Sequence, residues 1–130
     1  MHLKYFYSFL FLISLTFLSN FSAQNGLNSN LSNEEIEKKI DKYNNDPKKL
    51  WELINFYIKK SKVERNDEAL FYAYRYASIS STYPLNLKYA DSALVIGKKS
   101  DIKKILLDAY LNRGNINMSE EFYQKALDDI

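Results

Sequence analysis

The 130-residue chain has no cysteine and a single histidine, His2. Disulfide stapling and thiolate chemistry are therefore excluded, and with His2 set aside so are histidine-based triads and ordinary zinc sites. Its 18 basic and 16 acidic residues are mixed along the chain, so there is no basic footprint of the kind nucleic-acid binding needs, and no direct nucleic-acid contact is expected.

Lys4 precedes an uncharged run from Tyr5 to Leu18, YFYSFLFLISLTFL. A run this short suits the core of a secretory signal peptide, since a membrane span needs about 20 residues. Ala23 offers a small residue before a cut, whereas Phe21 stands where cleavage prefers a small one. Residues 1–23 are accordingly read as a signal peptide and the product as exported, periplasmic or secreted; an uncleaved signal anchor is the other reading, and only that one would leave a membrane span. Removal takes away His2 and Lys4 and leaves 17 basic against 16 acidic residues. The remaining length can bury roughly two thirds of its unfolded surface, enough for one apolar core without disulfides. The absence of cysteine also excludes a lipid-modified N-terminus.

Residues 24–31, QNGLNSNL, read as a flexible leader. Ser32 followed three residues later by Glu35 matches a capping box, and Ile36, Ile40 and Tyr43 share one face of a first helix that Asn44, Asn45 and Asp46 end. Asp46-Pro47 opens the next, to about Val63, with Leu50, Leu53, Ile54, Tyr57 and Ile58 as its buried stripe and Trp51 beside it. Asn66 or Asp67 opens a third helix. Leu70, Ala73, Tyr74 and Ala77 keep the spacing while Phe71, Tyr72 and Tyr76 fall outside it, the pattern of a helix sandwiched between neighbours. After a break at Ser80, Ser81, Thr82 and Pro84, the stripe Ala90, Ala93, Leu94 and Gly97 permits close helix approach, and Lys98 and Lys99 complement a helix C-terminus. Asp101 is expected to cap a fifth helix carrying Ile102, Ile105, Leu106, Ala109 and Tyr110, widened by Leu107 and Leu111. A sixth, to Ile130, carries Phe122, Tyr123, Ala126 and Leu127. Six helices and no strand-like alternation predict an all-α fold.

Little chemistry is available on such a scaffold. The adjacent carboxylates Glu34-Glu35, Glu120-Glu121 and Asp128-Asp129 diverge by about 100° on a helix and do not converge on one substrate. The glycines at 26, 97 and 114 are scattered, so no phosphate-cradling loop exists. No catalytic, cofactor-binding or metal-ligating residue is expected, and the chain reads as a non-enzyme without cofactors. Trp51 reads as core, and Lys59, Lys60 and Lys62 as a solvated helix end. The stretch FYAYRYA, residues 71–77, is the most distinctive surface candidate: Tyr72, Arg75 and Tyr76 are of the types that dominate interface hot spots and would line a groove for an extended peptide. The plainer alternative has them filling gaps between helices.

Helix pairs of this kind resemble tetratricopeptide repeats, antiparallel hairpins of about 34 residues that stack into a superhelix. Tyr110, Gly114, Tyr123 and Ala126 are similar to the repeat's first-helix aromatic, small contact residue, second-helix aromatic and late alanine; YADSALVIGKKSD resembles the end of a preceding unit, and LWELINFYI the start of an earlier one. The step from Gly114 to Tyr123 is shorter than the repeat requires by roughly seven residues, and Arg113 stands where a large residue is usual. Two readings of Gly114 therefore stand side by side: a contact position, or a helix end with Asn117 to Glu120 as the next capping box. A signal ending FSAQ followed by such repeats also resembles the exported N-terminal region of Bacteroidetes regulators with AraC-type or histidine-kinase output. The resemblance implies a TPR-like domain over residues 32–130 that binds a protein or peptide outside the cytoplasm as the sensor of a membrane-bound transcriptional regulator. Ending at Ile130 without a polar capping helix, the chain reads as a truncated or split form of a longer protein. The alternative is a free-standing envelope assembly adaptor.

Overall fold

The computed structural model describes residues 30–122 and, beyond them, Lys125, Leu127 and Asp128. Within this range the chain is all-helical, without strands: α1 (Asn33–Lys42), α2 (Pro47–Val63), α3 (Asp67–Ile79), α4 (Leu85–Lys99) and α5 (Lys103–Ser119). They belong to one compact unit, residues 31–130. The expected signal peptide and nearly all of the leader lie outside the described residues. So does much of the expected sixth helix, of which Lys125, Leu127 and Asp128 are helical.

Short-range chemistry sets most of the helix starts. Ser32 Oγ accepts from the Glu35 amide at 3.2 Å while the Glu35 carboxylate accepts from the Ser32 amide at 2.8 Å, a complete capping box. Asp46 accepts from the Lys49 amide at 3.2 Å with Pro47 at the first helical position, and Asn66 accepts from the Ala69 amide at 2.9 Å. Asp101 does not cap α5, contrary to expectation. The helix begins two residues later, its cap position is the extended Ile102, and the Ile102 amide donates to Ser100 Oγ at 3.1 Å. The local turn is closed by serine, leaving Asp101 exposed.

Each helix packs on the next in sequence, and α3 also meets α5. Asp91 in the middle of α4 pairs with Arg113 in the second half of α5 at 2.6 Å, while Gly97 near the end of α4 stands against Ile105 and Ala109 in the first half of α5, so these two run in opposite directions. Ser78, late in α3, bonds Asn112 in the second half of α5, so these two run the same way. Trp51 of α2 reaches Tyr89 of α4 with ring centroids 6.1 Å apart, start against start.

The small-residue stripe of α4 is buried throughout: Ala90, Ala93, Leu94 and Gly97. Ala93 and Leu94 form a cluster with Phe71 of α3 and Ile105 and Ala109 of α5. Phe71, expected outside the α3 stripe, is fully buried, whereas Leu70 and Tyr74 are only half covered. The sandwich explains the correction. A helix flanked by α2, α4 and α5 buries a wider arc than one stripe, and the largest apolar side chain takes the centre. In α5, Ile105 and Ala109 are buried, whereas Leu107 and Leu111, and Ile102 just before the helix, remain exposed. Gly114 does not end a helix. It is buried inside α5, Asn117 is buried in the helix's last turn rather than capping a new one, and the helix stops at Glu120 and Glu121, the latter at φ 62°. Tertiary burial of that turn outweighs the local glycine signal.

A Cβ placed at Gly97 would stand 3.0 Å from the Ala109 Cβ and 3.4 Å from the Ile105 carbonyl oxygen. Gly97→Val is expected to destabilise the domain by about 1–3 kcal/mol in denaturant melts, with Ala109→Gly in the same chain returning part of the loss. Strict additivity of the two changes would show that the helices do not touch there.

The caps generate a pH dependence. Lys38 holds the Glu34 carboxyl below its usual value, the Ser32 amide does the same for Glu35, and the Lys49 amide for Asp46. Folded values below the unfolded ones mean that the stabilisation is complete above the ordinary values of 4.5 and 3.8 and is lost as pH falls through the lowered ones. The α1 and early α2 backbone carbon shifts are expected to move toward coil below that window before the α3 and α4 shifts do.

Candidate functional site

The residues singled out for partner binding all lie on α3, half-buried. Their neighbours come from α1 and α2. The fully buried Tyr57 of α2 donates its hydroxyl to Glu37 of α1 at 2.6 Å. Burial, with Glu37 beside it, pushes the Tyr57 hydroxyl far above the ordinary phenol range. Tyr76 is pushed up to about 12, first by burial and then by the carboxylates of Asp41 and Glu37, with Arg75 acting in the opposite sense. Tyr72 packs edge-on to Phe71 with centroids 5.1 Å apart. Thus Tyr72, Arg75 and Tyr76 do come together, as part of a larger cluster with Glu37, Asp41 and Tyr57.

A cleft of about 170 Å³ opens on this cluster, lined by Asn33, Glu37, Tyr57, Asn66, Glu68, Ala69 and Tyr72. It holds two carboxylates and no basic side chain, and Asn33 contributes a buried Oδ1 without a hydrogen-bond partner. Its occupied polar groups are Tyr57 and Glu37, bonded to each other, and Asn66, which caps α3. Acceptors outnumber donors. Such a space suits a side chain that brings donors of its own.

Sequence reasoning did not connect Asn33, Glu37, Asn66 and Glu68 with the tyrosines. The available signal was that Asn66 opens α3 and Asn33 opens α1, so that two helix starts border one opening. A larger groove of about 430 Å³ runs over α4 between Pro84 and Val95. It is formed by one helix and the residue before it, and Asp91 within it is already paired with Arg113. The α1–α3 cluster, where three elements converge, is the better candidate. Among the described residues no group of His, Asp and Glu is placed to hold a metal ion. No protein-family model, curated protein or solved structure matches the chain.

Tyrosine ionisation checks the cluster. A phenol whose folded value lies above its unfolded value of about 10 stabilises the fold fully below that pH and loses its contribution as pH rises through the folded value. In ultraviolet difference titrations Tyr76→Phe should remove the transition near 12, and Tyr57→Phe should cost about 1–2 kcal/mol by stranding the Glu37 carboxylate. Tyr57 ionising with the exposed tyrosines would contradict the buried bond.

Proposed function

We propose that the chain is a non-enzymatic helical-repeat module that binds a protein or peptide outside the cytoplasm, with Tyr72, Arg75 and Tyr76 as the contact residues. The observation that carries this reading is the convergence of Tyr57, Tyr72, Glu37 and Glu68 around one cleft whose wall is built from three helices, with Tyr76 one turn further along α3 from Tyr72. The alternation of helix directions, with α2 beside α4 and α3 beside α5, supports a hairpin arrangement of tetratricopeptide type. Half-exposed tyrosines on a rigid helix offer large contact area at small entropic cost. The acceptor-rich cleft beside them favours a segment carrying lysine or arginine, whose donors would meet Glu37, Glu68 and Asn33 Oδ1.

Export rests on the charge-free run from Tyr5 to Leu18, and the sensor role in a membrane-bound transcriptional regulator rests on the resemblance alone. Among the described residues no helix is long and apolar enough to cross a membrane. A free-standing envelope adaptor uses the same surface without an output domain. An antibody against residues 32–130, applied to fractionated native cells, separates the two: a much larger membrane-bound band fits the regulator, and a small soluble extracytoplasmic band fits the adaptor.

The binding surface is tested by fluorescence anisotropy with a labelled extended hexapeptide carrying one central lysine and with its norleucine counterpart. Tyr72→Ala together with Tyr76→Ala should weaken capture of the lysine peptide about tenfold or more while the circular dichroism stays helical. Glu37→Gln with Glu68→Gln should erase the preference over norleucine. Capture unchanged in both variants would remove this cleft from consideration.

A further inference from the structure

The last described helix differs from the other four at its ends. The first turn of α1 and of α3 is acidic, and the last turn of α1, α2 and α4 is basic, as the helix dipole favours. Alone among the five, α5 has neither feature and no side-chain cap at its start. Lys103 and Lys104 stand at its positive end, and Glu120 and Glu121 follow its negative end. Lys104 and Glu121 are exposed and form no ion pair among the described residues.

The outer face of the same helix is apolar. Leu107 is 57 % exposed, Leu111 39 % and Met118 50 %, and at helical spacing they fall with Lys104 and Asn115 on one stripe opposite Ile105, Ala109 and Ile116. The pattern is also symmetric along the helix. Leu107 lies as far before the midpoint between Asn112 and Arg113 as Met118 lies after it, and the same midpoint relates Lys104 to Glu121.

We propose that α5 is the contact face of a homodimer, packed antiparallel against α5 of a second copy about a two-fold axis near Asn112 and Arg113. In an isologous interface each pair occurs twice: Leu107 meets Met118 of the partner subunit, Leu111 packs near the axis, and Lys104 meets Glu121 of the partner subunit. Each helix end then receives the charge its own dipole lacks. A face one helix long, about 25 Å, is at the low end of interface size, so the dissociation constant is on the order of tens of micromolar. The inference does not depend on the peptide-binding reading.

Sedimentation velocity on the compact unit, residues 31–130, from about 5 to 500 µM tests it, with helicity checked by circular dichroism in every variant. The expected result is a concentration-dependent shift from monomer to dimer. Lys104→Glu or Glu121→Lys alone should weaken dimerisation about tenfold, because two like-charge pairs replace two attractive ones, although each change suits the helix dipole better. The double reversal should restore the affinity to within a few-fold. A monomer at every concentration, or a double reversal no better than the singles, overturns the proposal and assigns the stripe to a different occupant.

Discussion

Gly97 and Ala109 bring α4 and α5 so close that any side chain at the first would press on the methyl of the second. That contact determines how the rest of the helices are arranged. With Ala90 and Ala93 on the same stripe, α4 presents almost no bulk along its inner face, and the space is filled from outside by Phe71 of α3 and Ile105 of α5. Small residues on one helix and large ones on its neighbours give a dense interior without cysteine or metal. Phe71 in turn holds α3 against α4 and α5 at once, which is why α3 is covered on so many sides.

That covering has consequences for polar groups. Ser78 and Asn112 are buried where α3 meets α5, and they satisfy each other: Asn112 Nδ2 donates to Ser78 Oγ at 2.9 Å while Ser78 Oγ lies 2.7 Å from the Arg75 carbonyl. A pair like this is tolerable in the interior only in one alignment of the two helices. On the other side of α3 the polar groups belong to the tyrosine cluster, where the Tyr57 hydroxyl ties α2 to Glu37 of α1. Tyr72 and Tyr76 are thus partly structural, and the same half-burial that fixes their orientation leaves each of them partly exposed.

The tyrosine cluster draws on α1, α2 and α3, whereas the stripe of Leu107, Leu111 and Met118 is carried by α5 alone. A peptide at the proposed cleft and a second copy on the proposed face of α5 would therefore contact different residues. The asymmetry of charge along α5 also has a physical reading inside a helical stack: among the described residues α5 packs on α3 and α4 alone, and a helix covered on one side keeps end charges and an apolar face that those neighbours do not compensate.

Much of the architecture was legible in the chain itself. Ser32 with Glu35, Asp46 with Pro47, and Asn66 act on amides three residues away, so local chemistry alone places the starts of α1, α2 and α3. The spacing of Ala90, Ala93, Leu94 and Gly97 likewise identified a close helix contact, because a stripe of small residues has no other way to bury area. What the sequence could not decide depended on neighbours distant along the chain. Phe71 lies off the periodic stripe and becomes central only because two further helices cover it. Gly114 reads locally as a stop and is buried inside a continuing helix, with Asn112, Ile116 and Asn117 buried around it. The candidate site divides in the same way. Tyr72, Arg75 and Tyr76 stand out by residue type, whereas Asn33, Glu37 and Tyr57 join them only through tertiary packing, since no short-range rule relates side chains on three separate helices.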